Sequence, residues 1–177
     1  MTPAYDGHAH ITSARVERPA ASAIAFLTNP DNLATWALTK GKVEILGPDM
    51  VKGIATGDGS DVFVRIHNPK DSDAVYYHVG GTPDQLAPRI MVQVMKGPHI
   101  DTHDDCCVVS MLAWRSADWD DPRWQALVDA HEIEIGQIKE LIEQLDKCNN
   151  RLTCPHGRPT SWTLKGTEIE RFFKRRT

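Results

Sequence analysis

The sequence predicts an α+β domain: an antiparallel sheet of about seven strands packed on one long C-terminal helix, with two short helices after the first strand. Three observations carry this. Six runs with strand character, 42–47, 50–56, 61–67, 73–79, 89–96 and 105–114, follow one another with only turn residues between them. Those gaps leave no room for crossover helices, so neighbouring strands run antiparallel. Over residues 122–147 the apolar residues instead recur at spacings of three and four, the period of a helix with one buried face.

The elements follow in order. Residues 10–18 read as the first strand. After Pro19, AASAIAFLTN is a short helical pattern with Ile24, Phe26 and Leu27 as its apolar residues, and NPDNLATWAL begins a second. There Asn29 is the expected cap, Pro30 the first helical residue, and Asp31 and Asn32 the first turn. Gly47-Pro48-Asp49, Gly57-Asp58-Gly59-Ser60, Asn68-Pro69-Lys70-Asp71, Gly80-Gly81-Thr82-Pro83 and Gly97-Pro98 supply the turns. Alternation assigns the faces: Val62, Val64 and Ile66 oppose Asp61, Phe63, Arg65 and His67, and Ile90, Val92 and Val94 oppose Met91, Gln93 and Met95. In the long helix the stripe is Trp124, Leu127, Val128, Ile135, Ile138, Leu141, Ile142 and Leu145, with His131 inside it, Glu134 beside it and Asp121 as the expected cap. About 24 residues of helix span ~36 Å, enough to cross a sheet.

Composition narrows the function. At 177 residues, 41% apolar and 25% charged, the chain suits one globular domain and is neither disordered nor fibrous. No run reaches the ~20 apolar residues of a membrane span, and MTPAYDGHAH lacks the basic-then-apolar pattern of a secretory signal. Cys106, Cys107, Cys148 and Cys154 are too few for a disulfide scaffold, which suits a cytoplasmic protein. From Arg151 onward there are seven Lys and Arg against two Asp and Glu, while residues 1–150 are strongly acidic. The acidic body argues against nucleic acid as the main partner. The basic tail reads either as a phosphate contact or as a segment docked on its own body. A division into residues 1–148 and a small tail, 149–177, follows. Homodimerisation is the default assembly.

The order of elements, with the opening ARVERPAASAIAFLTNPDNLATW and its Pro19, Ala20, Phe26, Pro30 and Trp36, resembles the START-like or polyketide cyclase-like (SRPBCC, helix-grip) superfamily over about residues 8–147. The resemblance implies a curved sheet gripping the long helix around a cavity, and a small hydrophobic or aromatic ligand. It spans both carriers or sensors and enzymes such as cyclases and dehydratases. A second, local resemblance is that of TCPHGRPTSWTL, followed by EIERFFKR, to the closing segment of MutL endonuclease domains. It implies a metal-binding role for Cys154 and His156, and an accessory protein-interaction or nucleic-acid-contacting role. The remaining motifs of that nuclease are missing from the sequence.

The candidate chemistry is then limited. Cys148, Cys154 and His156 are ligands that Zn²⁺ prefers, and a structural zinc pinning the tail is expected, with a fourth ligand drawn from His8, His10, His99, Asp101, His103 or Asp104. The loop PHIDTHDDC reads mainly as a solvated hairpin end. His131 is the candidate acid–base group: burial lowers its pKa and a neighbouring carboxylate such as Glu134 raises it. Its alternative is a core histidine with one hydrogen bond to the sheet. Tyr77, on the face of Val75 and Val79, is the candidate partner hydroxyl, and a bulge would turn it outward. Trp36 is expected in the cavity roof, whereas Trp114, Trp119 and Trp124 read as packing. The sequence holds no nucleophile elbow, phosphate-cradling glycine loop or dinucleotide fingerprint, so no organic cofactor is expected.

Overall fold

The computed structural model describes residues 7–37, 43–55 and 59–145. The chain divides between Glu143 and Gln144 into two units, the first of which holds the sheet, the short helices and all but the last residue of the long helix. The strands are β1 (Ala9–Val16), β2 (Glu44–Ile45), β3 (Met50–Ile54), β4 (Asp61–His67), β5 (Ala74–Gly80), β6 (Ala87–Lys96) and β7 (Cys107–Trp114). They form one antiparallel sheet in the order β1-β7-β6-β5-β4-β3-β2. Every link is between sequence neighbours except β1 on β7. That pairing follows from the two short helices, α1 (Ala20–Thr28) and α2 (Pro30–Trp36), which carry the chain from β1 across to the far edge.

Local chemistry sets the element ends. The Asn29 side chain accepts from the Asp31 N–H at 3.0 Å with Pro30 opening α2, and the Asn32 amide reaches back to the Phe26 carbonyl at 3.0 Å. The long helix, α3 (Asp121–Gln144), starts one residue earlier than the expected cap implies: Asp120, not Asp121, is its cap, accepting from the Arg123 N–H at 2.9 Å. Gly80 ends β5 where the chain passes so close to Gln85 that an added Cβ would stand 2.0 Å from its carbonyl oxygen. Between β6 and β7 the loop tightens into a short 3₁₀ helix, Gly97–Ile100, followed by Asp101 in the left-handed region at φ 57°.

The inner face of the sheet is apolar, as alternation requires. Val75, Tyr77, Val92, Val94, Val109 and Met111 are all buried, and Ile135, Ile138 and Ile142 of α3 meet the same core, with Phe26, Leu27, Leu33 and Trp36 joining from the short helices. The stripe stops short of its predicted end, since Leu145 is 47% exposed. Polar contacts fix α3 along β1: Lys139 donates to the Arg15 carbonyl at 2.6 Å, and the Glu17 N–H donates to the Glu143 carboxylate at 3.0 Å. Among the described residues no helix is long and apolar enough to cross a membrane.

Candidate functional site

The interior holds the residues that the sequence singles out. Tyr77 is 1% exposed and points inward, and its hydroxyl donates to the Leu27 carbonyl at 2.8 Å. Burial raises its pKa further above the ordinary phenol value, so the hydroxyl stays protonated. Trp36 meets it edge-on, ring centroids 5.6 Å apart. His131 is 2% exposed on the inner side of α3. Its Nε2 lies 3.8 Å from a Glu134 carboxylate oxygen, its ring 6.4 Å from that of His10, and its Nδ1 is buried with no hydrogen-bond partner among the described residues. His10 in turn pairs with Glu132 at 3.0 Å. Of the opposing influences on His131, burial wins, with His10 adding to it, and its pKa falls to about 4. The imidazole is therefore neutral at pH 7.

A separate opening lies at one end of the sheet. Antiparallel pairing brings the start of β4, the end of β5, the start of β6 and the segment after β7 to the same end, where the first turn of α3 faces them. Between them is a half-open cleft of about 290 Å³. Val62, Val79, Ala87 and Trp119 form its apolar wall, and Asp61, Arg89, Ser116, Asp118 and Arg123 its polar rim. Arg115 holds the β7–α3 segment in place, donating to the Trp119 carbonyl at 2.8 Å and to Asp121 at 2.7 Å. The Arg123 guanidinium lies over the Trp119 ring, 4.9 Å from its centroid. Asp118 accepts from the Ser116 hydroxyl, and that bond, ahead of its other partners, holds its carboxyl below the usual carboxylate range. Neither His131 nor Tyr77 lines this cleft.

Arg89 reaches the cleft through an irregularity. On β5, Tyr77 pairs with Ile90 and His78 with Pro88, so Arg89 is an extra residue with no partner across the ladder. Without the bulge, strict alternation places Arg89 with Met91 on the outer face. The bulge leaves Tyr77 inward. Pro88 was the available sign of it, because a proline inside a strand is confined to edges and bulges. Val62 and Val79 follow the alternation of β4 and β5, whereas Ser116, Asp118 and Trp119 sit in the segment between β7 and α3 and carry no periodic signal.

Solved structures agree on the architecture. The di-domain ARO/CYC protein BexL aligns with a TM-score of 0.59 at 16% identity, over 82% of this chain and 49% of that one. The Aha1 dimer protein of Colwellia psychrerythraea gives 0.54 at 14%, over 76% and 96%, and a START superfamily protein of Mycobacterium smegmatis 0.53 at 9%, over 81% and 99%. The fold is the helix grip. At these identities the likeness concerns the fold alone. No family model matches the chain. Among curated proteins, the mismatch repair protein MutL of Endomicrobium trichonymphae is 52% identical over 44 residues and that of Ligilactobacillus salivarius 42% over 45, each a quarter of this chain. The chain spans about 7% of the length of these relatives.

The expected structural zinc is corrected. Among the described residues of the helix-grip domain, no group of three or more His, Cys, Asp or Glu side chains comes together to hold a metal ion. His8, His10, His99, Asp101, His103 and Asp104, expected to complete the set, form no such group. His10 is occupied by Glu132, and the exposed His99 and His103 are separated by the turn after the 3₁₀ helix. Cys148, Cys154 and His156 lie outside the described residues. Cys106 and Cys107 are buried and unbridged.

Proposed function

We propose that the helix-grip domain binds a small hydrophobic or aromatic molecule in the cleft at the end of its sheet. The observation that carries this reading is the cleft itself: a space at the small end of the usual range for ligand sites, with an apolar wall of Val62, Val79, Ala87 and Trp119 and a few polar groups to orient an occupant. Binding as a carrier or sensor is favoured over acid–base chemistry, because His131 and Tyr77 lie in the packed interior and the Tyr77 hydroxyl is occupied by Leu27. A cyclase, dehydratase or isomerase role would rest on the neutral His131, whose unpartnered Nδ1 is suited to accepting or donating one proton. Titration with 2-naphthol, followed by methyl NMR, tests the site. Shifts centred on Val62, Val79 and Ala87, lost on plugging the cleft with Val79→Trp, support it; shifts elsewhere, or none, refute it.

A second reading rests on the MutL similarity over a quarter of the chain: an accessory role in contacting nucleic acid or a repair protein. Duplex DNA binding that weakens with salt and disappears on deleting residues 151–177 would support it. Equal binding by full-length and shortened chains would refute it.

A further inference from the structure

Among the described arginines, the Arg89 side chain alone makes no hydrogen bond, ion pair or ring contact. Arg15 pairs with Glu17, Arg18 with the Glu143 carbonyl, Arg65 with Asp49, Arg115 with Asp121 and the Trp119 carbonyl, and Arg123 lies on Trp119. Yet Arg89 is half-buried at the apolar wall, brought there by the extra residue in β6. Partial burial of an unpaired guanidinium is unfavourable unless something of opposite charge joins it. The rim carboxylates make no direct contact with it: Asp61 is paired with Lys52 at 2.8 Å, and Asp118, hydrogen-bonded to Ser116, feels the charges of Arg123 and Arg89 without an ion pair to either.

We infer that the cleft takes a monoanion, a carboxylate carried on a small apolar or aromatic body, with Arg89 as its anion-binding group and the body against Val62, Val79 and Trp119. The inference rests on the ligand-binding reading above and names the class of ligand. A carboxylate matches the planar fork of a guanidinium in two parallel hydrogen bonds. The rim already carries two arginines and two aspartates, so one added negative charge meets Arg89, whereas the second charge of a phosphate monoester would face Asp61 and Asp118.

The test is calorimetric titration at pH 7.5 with 4-phenylbutyrate, 4-phenylbutanol and 4-phenylbutyl phosphate, against the wild type, Arg89→Gln, Arg89→Lys and the remote control Arg15→Gln. The wild type should prefer the carboxylate over the alcohol by about tenfold or more, the scale of one charge-assisted hydrogen bond. Arg89→Gln should bring that ratio near one, Arg89→Lys should retain part of it, and Arg15→Gln all of it. Equal binding of carboxylate and alcohol by the wild type overturns the inference while the cleft reading stands. So does a preference that survives in Arg89→Gln, or one that favours the phosphate ester. Failure of all three probes to bind refutes the cleft reading and this inference together.

Discussion

Tyr77 and Arg89 flank the same bulge on neighbouring strands, and the fold treats them in opposite ways. Tyr77 is enclosed: its ring meets Trp36, its hydroxyl meets the Leu27 carbonyl, and apolar side chains of both sheet and helix fill the space around it. Arg89, one residue before the Tyr77 partner Ile90, stands at a cleft with no hydrogen bond or ion pair to any described side chain, its charge felt by the Asp118 carboxylate across the rim. Tyr77 thus sits among buried side chains of the core, whereas Arg89 stands at an opening at the end of the sheet.

If that division holds, substitutions in the two regions separate by size. Ile138→Ala, in the fully buried middle of α3, should destabilise by about 2–5 kcal/mol in urea unfolding. A loss under 1 kcal/mol would mean the interior is not continuously packed. The next effect is one of pH. Because the folded pKa of His131 is depressed to about 4 from 6.5, the unfolded chain binds the proton first. This contribution is complete above about pH 6.5 and is lost as pH falls toward 4, amounting to about 3 kcal/mol. A His131→Leu variant should lack that part of the acid destabilisation, and parallel stability curves for the two proteins would contradict it. Tyr77→Phe leaves the Leu27 carbonyl buried without its donor and should cost about 1–3 kcal/mol by thermal unfolding. Gly80→Ala forces the Gln85 backbone away and should cost a comparable ~1–3 kcal/mol while also reshaping the cleft, a change visible in probe binding. At the small end, Arg89→Gln should move stability by no more than about 0.5 kcal/mol. A larger loss would mean that Arg89 belongs to the core rather than to the cleft.

The packed half of the comparison was legible in the sequence and the open half was not. Period alone marks Ile135, Ile138 and Ile142 as one face of a helix, alternation marks Val64 and Ile66 as one face of a strand, and Asn29 before Pro30 is a cap by its own chemistry. These are local signals, and the described elements follow them within a few residues. Arg89 shows where local signals end: whether it faces in or out depends on how β6 registers against β5, which no single segment encodes. The Asp120 cap is missed for a smaller reason, since three aspartates near Pro122 offer the same side chain at neighbouring positions. Trp119, read as packing, does pack, on Trp124 and Arg123, and through that contact it also becomes a wall of the cleft.

Cys107, at the start of β7 beside both β1 and β6, gives this architecture a chemical clock. Its side chain is sealed in the core, and burial, with Cys106 adding to it, pushes its thiol up to about 11. Alkylating reagents attack the thiolate, so labelling of Cys107 at neutral pH requires the strand to open first. The rate at which that one sulfur is modified, read by mass mapping, therefore reports how often the start of β7 comes away from β1 and β6 in a protein that is otherwise folded.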